Sequence, residues 1–286
     1  MSALDPMEMN PHHAAFVFAV CADRFYTALL PYAKPGPDGE PSLAGQFLYA
    51  GELDDEGRAL LVAANVLGAA SLTVTSDPSA QRRALRDGVA DFVVTTLDEA
   101  LRILKNQLRK GESVAVCVAG KPQAIVREME ERGVQPDLVT YALSGLARFP
   151  PEFQAGARRV EHVAGPAPDR SVVTWSAETA APIWLPKLDN LALECLNSDA
   201  SPAELAARRW MRLAPRYFGR LAQDRRIVSC EPAAAQQIFN RVQSAVEQGE
   251  IGVPVWITMS SGAGTQSAHA NPPTAQVPLP PGRSQQ

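Results

Sequence analysis

From Leu43 to Thr140 the apolar positions come in short bursts separated by longer amphipathic runs. Phe47 to Ala50 predicts a strand, and Arg58 to Leu67, closed by Gly68, predicts a helix. Ser71 to Thr75 predicts a second strand ending in Ser76-Asp77-Pro78, followed by a polar helix, Ser79 to Asp87, and a short strand, Phe92 to Val94. Thr96-Leu97-Asp98-Glu99 has the spacing of a capping box and opens a helix running to Lys110. The uninterrupted apolar run Val114 to Ala119 predicts a strand covered on both faces. A helix from Pro122 to Arg132, stopped by Gly133, and a strand from Asp137 to Thr140 complete the series. Strands and helices alternating in this way predict a Rossmann-like parallel sheet with right-handed crossovers over residues 43–145.

The flanks are less regular. Residues 1–42 predict an N-terminal helical or extended segment: a frayed start, a packed element from Ala14 to Ala33, then a loop from Pro35 to Pro41. Residues 171–259 predict a second, smaller α/β unit. Its strands are Val172–Trp175, Arg226–Ser229 and Val253–Ile257; its helices are Leu185–Leu196, one opened by Ser201-Pro202-Ala203-Glu204, and Pro232–Gln248. Residues 260–286, rich in Ser, Gly, Pro and Gln, predict a disordered tail dispensable for folding.

Composition adds exclusions. Hydrophobic residues make up 46% and charged residues 20%, ordinary for a globular protein, and the net charge of −4 argues against nucleic acid as a partner. Ala14 to Cys21 is too short to span a bilayer and lacks a basic region before it, so no membrane is expected. Cys21, Cys117, Cys195 and Cys230 lie far apart, and Cys117 sits within a strand as a buried, inert thiol, which suits a cytoplasmic protein. His12, His13, His162 and His269 fall in segments read as loop or tail, with no nucleophile partner, so no catalytic or metal-binding residue is expected. Seven arginines between residues 208 and 226 place Arg208, Arg212, Arg216 and Arg220 on one helical face, opposite Trp210, Leu213, Tyr217 and Leu221. Pro215 kinks or splits that helix, and the arginine face is read as solvated rather than as meeting an anionic partner.

The segment that bears most on function is Gly51-Glu52-Leu53-Asp54-Asp55-Glu56-Gly57, between the first strand and its helix. A strand, a glycine-flanked turn and a helix begin a nucleotide-binding βαβ unit, in which backbone N–H groups and the helix dipole face a phosphate. Four carboxylates reverse that preference, each costing on the order of a few kcal/mol against a phosphate nearby. As helix-capping groups the same acids each contribute roughly 0.3–1 kcal/mol, with Asp54 or Asp55 as the cap. A cation site is the lesser alternative, since no His or Asn completes a ligand set. Asp77 lies where such folds place a ribose-binding acid, though an Asp-Pro pair also caps a helix well.

The order of these residues resembles the Rossmann-like domain of urocanase (urocanate hydratase). The likeness rests on Leu43-Ala44-Gly45, Gly51, Gly57, Ala63-Ala64, Gly68, Asp77-Pro78-Ser79, Arg82-Arg83, Leu97 to Leu101, and Arg132 to Thr140. It covers about a third of the chain, residues 43–140. The resemblance implies a dinucleotide site, with NAD as cofactor and hydration of urocanate, a lyase reaction, as activity. Gly51, Gly57 and Asp77 would be what remains of that site. The family's glycine-rich turn keeps only its outer glycines here, and its Asp-Gln-Thr-Ser-Ala-His-Asp run is replaced by Tyr141 to Ala147, retaining only Ser144. No cofactor is therefore expected, and the reading preferred is a pseudoenzyme that keeps the scaffold to bind a protein partner or a small-molecule ligand. An active NAD-dependent lyase and a structural or assembly subunit are the alternatives.

Overall fold

A computed structural model describes residues 11–143, 146–149, 153, 156–160, 170–196, 201–218, 225–261 and 264–273, with side chains from residue 17 onward. Helix α1 (Pro11–Leu29) runs through a short 3-10 turn into a small antiparallel pair, β1 (Lys34–Pro35) and β2 (Pro41–Ser42). There follow β3 (Phe47–Glu52), α2 (Asp55–Leu67), β4 (Ala70–Thr75), α3 (Pro78–Arg86) and β5 (Phe92–Val94). The unit continues with α4 (Leu97–Lys110), β6 (Val114–Ala119), α5 (Pro122–Glu131), β7 (Leu138–Thr140) and β8 (Arg158–Val160). Strands β3 to β8 form one sheet in the order β5-β6-β4-β3-β7-β8, and every pairing in it is parallel. The five expected strands all lie in it. The sixth, β8, is short and charged and gave no apolar signal.

The helix signals act as expected. Thr96 accepts the Glu99 N–H at 3.3 Å, and Gly68 and Gly111 close α2 and α4 in the left-handed conformation. β4 is buried throughout and β6 nearly so, because helices cover both faces. Helix α2 is buried from Gly57 to Leu67, Arg58 and Asn65 included. It packs between the parallel sheet and α1, and the apolar cluster around it continues without a break into the second unit.

That unit contains β9 (Ser171–Ala177), α6 (Ala181–Cys195), α7 (Pro202–Leu213), α8 (Pro215–Phe218), β10 (Arg225–Cys230), α9 (Pro232–Glu247), β11 (Val255–Ser261) and β12 (Gly264–Ala270). Its strands form a separate antiparallel sheet, β10-β9-β11-β12. Alternation along β9 buries one face, where Val173, Trp175 and Ala177 meet α6 and α9.

Two expectations are corrected. The tail does not begin at residue 260: β11 reaches Ser261, and residues 264–270 pair along it as β12. These residues lack apolar content, but backbone hydrogen bonds to β11 and stacking of His269 on Trp256 at 4.2 Å order them. Residues 274–286 lie outside the described residues. Nor is the arginine face simply solvated. Pro215 does separate α7 from α8, and Arg208 donates to the Leu196 carbonyl. Arg209 donates to the Val66 carbonyl at 2.6 Å, and Arg212 pairs with the buried Glu40 at 2.5 Å. Of that face, Arg208 meets the end of α6 and Arg212 the β1–β2 loop, while Arg209 beside it reaches the end of α2. Arg220 and Leu221 lie outside the described residues.

Asp23, buried in α1, accepts the Ser229 N–H near the Arg170 guanidinium, yet burial outweighs both and pushes its carboxyl up to about 7. A carboxyl whose pKa rises on folding keeps its proton in the native state, so the wild type loses stability as the pH climbs from about 4 to about 7. D23N removes the titrating group, and its melting temperature should gain on the wild type across that interval; a difference independent of pH would refute the assignment. Ending the chain at Ser260 should lower the melting temperature by roughly 5 °C or more, about 2 kcal/mol, through loss of β12. An unchanged melting temperature would show that β12 adds no stability.

Candidate functional site

The chain enters the parallel sheet at β3, moves to one side through β4, and returns on the other side of β3 as β7. The carboxyl ends of β3 and β7 therefore flank a topological switch point, where open α/β sheets bind ligands. The acidic turn lies there. A register shift between Tyr49 and Gly51 and a positive φ of 76° at Gly51 turn the chain out of the sheet. Asp54 takes an extended backbone and accepts the Gly57 N–H at 2.6 Å, capping α2. Of the two capping candidates named from the sequence, Asp54 serves.

The acids do not stand as a bare negative patch. Asp55 meets Arg58 at 3.4 Å and Arg83 at 3.1 Å. Arg58, buried, also pairs with Asp87 at 2.8 Å, and desolvation draws its pKa down. Glu56 accepts the Leu143 N–H at 3.0 Å.

The decisive residue is Arg148, which the sequence reading missed. Its Nε donates to the Ala50 carbonyl at 3.1 Å and its Nη2 to the Glu52 carbonyl at 2.5 Å. Nη1 and Nη2 grip the two Asp54 oxygens at 3.1 and 2.8 Å, a bidentate pair. Only 7% of its side chain is exposed, and Glu56 lies 3.8 Å away. A signal for it did exist: four acids in one turn call for a cation, and a strand paired parallel to β3 delivers the following chain to the same sheet edge. Arg148 is the first arginine after Thr140.

The backbone closes in as well. A Cβ on Gly51 would sit 2.5 Å from the Arg148 carbonyl oxygen. One on Gly57 would sit 2.1 Å from the Glu52 oxygen and 2.7 Å from Arg148 Nη2. The two glycines are thus brought together, but they accommodate Arg148 and the backbone around it. A pyrophosphate laid over this turn would overlap them, so the residues present do not fit a dinucleotide there. Asp77 sits at the neighbouring strand end, where its two oxygens accept the Ser79 N–H and hydroxyl, each at 2.8 Å. Those bonds hold its carboxyl below the usual range. It caps α3 and does not line the crevice beside the turn. That crevice, about 570 Å³, runs between the turn, α5 and the 142–149 segment, with Tyr49, Arg127, Leu146 and Phe149 in its walls.

Elsewhere the chemistry is sparse. Burial pushes the thiols of Cys117 and Cys230 up to about 12, which makes them poor nucleophiles. Among the described residues no group of His, Cys, Asp and Glu is placed to hold a metal ion, and no helix is long and apolar enough to cross a membrane. His269, read from the sequence as part of the tail, lies on β12 with Nε2 2.8 Å from Glu178. His162 and Ser144 are outside the described residues.

A parallel α/β sheet with a glycine-flanked turn and helix at its switch point defines a Rossmann-like domain. Residues 32–146 match the family model of the urocanase Rossmann-like domain. Arg148 lies two residues beyond the match, and the antiparallel sheet lies wholly outside it.

Removing the Arg148 side chain leaves Asp54 half exposed and without its cation. R148A should therefore cost about 1–3 kcal/mol in urea denaturation. R148K should recover less than half of that, since an ammonium lacks the fork. Full recovery by lysine would show that charge alone matters there.

Proposed function

We propose that this protein is a non-catalytic carrier of the urocanase Rossmann-like domain, in which an internal ion pair has taken the place of the dinucleotide. The scaffold serves to bind a small molecule or a protein partner, and hydration of urocanate has been lost. Arg148 carries this reading. It supplies to Asp54 and the turn the cation that the acids require, and its backbone stands where a pyrophosphate would approach Gly51. Phosphate repulsion, the argument available from the sequence, becomes secondary, because three arginines offset much of the acidic charge. Steric closure replaces it.

The substrate side supports the same conclusion. Where the resemblance would set a polar run after β7, this chain has Tyr141, Ala142 and Leu143. They fold back over the turn, Leu143 bonding to Glu56 and Ala142 to the Leu146 carbonyl at 2.6 Å. Four unpaired thiols suit a reducing, cytoplasmic setting.

Calorimetric titration of the unmodified protein with NAD should give no binding up to about 1 mM, which corresponds to less than about 4 kcal/mol of affinity. Urocanate absorbance should stay constant in its presence. R148A, which frees the space beside Gly57 but leaves the residue 148 backbone against Gly51, should gain weak NAD binding at most, with no hydration. Micromolar NAD binding by the unmodified protein, or loss of urocanate absorbance, would overturn the proposal.

A further inference from the structure

A second cavity, about 430 Å³, shares no wall residue with the crevice at the turn. It lies between the end of α1, the β1–β2 loop, the start of α7 and the first residue before β9. Its walls are mostly apolar: Leu30, Pro31, Pro41, Pro202, Ala203 and Leu205. Besides Thr27, the polar side chains in the walls are two cations. Arg170 lines it from the interior and Lys34 from the exposed side, and the N-terminus of α7 opens at Pro202 and Ala203.

Arg170 is the unusual member. It is 7% exposed, and its hydrogen bonds go to one residue: Nε to the Ser229 hydroxyl at 3.1 Å, and Nη2 to the Ser229 carbonyl. Buried arginines are normally matched by a carboxylate at contact distance. Elsewhere in this fold Arg58 and Arg148 are so matched; among the described residues Arg170 is not. Asp23 does feel its charge, but burial leaves that carboxyl largely protonated below about 7. A guanidinium has five N–H donors. None of Arg170's nitrogens is both sealed from solvent and unpartnered, so Nη1, which has no hydrogen-bond partner among the described residues, keeps some contact with solvent. The cavity is the open space that Arg170 lines.

We propose that this cavity binds an apolar monocarboxylate, its carboxylate on the Arg170 guanidinium and its hydrocarbon body against the proline and leucine wall. An apolar cleft of this volume with one convergent charged group is the usual form of a small-molecule site. A bidentate carboxylate would supply the anion that Arg170 lacks. A phosphate would satisfy the guanidinium but leave the apolar wall bare. A neutral hydrocarbon would do the reverse.

Titration calorimetry on the full chain with octanoate as probe separates these cases. Octanoate should bind, octanol should bind at least about tenfold more weakly, and inorganic phosphate should give no saturable heat. A203F, which fills the cavity from the α7 side, should abolish octanoate binding while the protein stays folded. K34E, an exposed change that reverses the charge at the mouth, should weaken it a few-fold at low salt. Absence of octanoate binding up to about 10 mM would overturn the proposal. So would octanol binding as well as octanoate, phosphate binding as well as octanoate, or a folded A203F that binds like the wild type. Should A203F fail to fold, K34E decides alone: affinity unchanged at low salt would count against the site.

Discussion

Helix α2 is buried on all sides from Gly57 to Leu67, and that constraint propagates through the rest of the molecule. A buried helix cannot leave its terminal N–H and carbonyl groups to water, so other parts of the chain must satisfy them. At its start Asp54 accepts the Gly57 N–H. A carboxylate in that position needs a cation, and Arg148 provides it while bonding two further carbonyls of the turn. At its end the Leu67 carbonyl accepts the Leu43 N–H at 2.7 Å, and Arg209 takes the Val66 carbonyl. Arg148 and Arg209 both come from beyond the family match, which closes at residue 146. The matched domain is thus held at both ends of its central helix by chain that is not part of it.

On the function proposed above, the same contacts show how a scaffold could persist with its ligand replaced. In a nucleotide-binding turn the negative charge facing the helix arrives with the ligand. Here it is built in as Asp54, and the accompanying cation is built in as Arg148. The helix thus has an electrostatic complement within the chain itself. Glycine is still required at positions 51 and 57, for a changed reason. Close approach of the chain to itself, rather than to a pyrophosphate, leaves no room for a Cβ at either place.

The regular part of the fold was readable because every device that sets it is local. Thr96 three residues before Glu99, Asp77 before Pro78, and glycines after α2 and α4 each act within one turn of their own element. The apolar runs of β4 and β6 needed only their own composition. What could not be read depends on distant partners. Arg148 reaches residues 94 and 96 positions away, and Arg212 reaches Glu40 across 172. Strand β12 is ordered by backbone pairing and one stacked histidine, neither of which leaves a mark in hydropathy. The acids of the turn were visible; the arginine that grips Asp54 became so only once β7 was seen beside β3.

The charges of the second unit follow the same logic with the partners exchanged. Arg209 and Arg212 converge on Glu40, which is buried, and so a loop rich in glycine and proline is fixed against α7. That loop is one wall of the Arg170 cavity. Arg170 has no such match among the described residues; Asp23, on which it acts electrostatically, is bonded by the backbone of Ser229, the residue that also holds Arg170. With both groups tethered to one residue of β10, neither needs to rotate toward the other. The arrangement keeps a cation poised at the cavity wall, and its cost in unmatched charge falls as Asp23 ionises above about 7. An anion bound in the cavity as proposed would relieve the same cost at lower pH, and would then compete with Asp23 to neutralise one guanidinium.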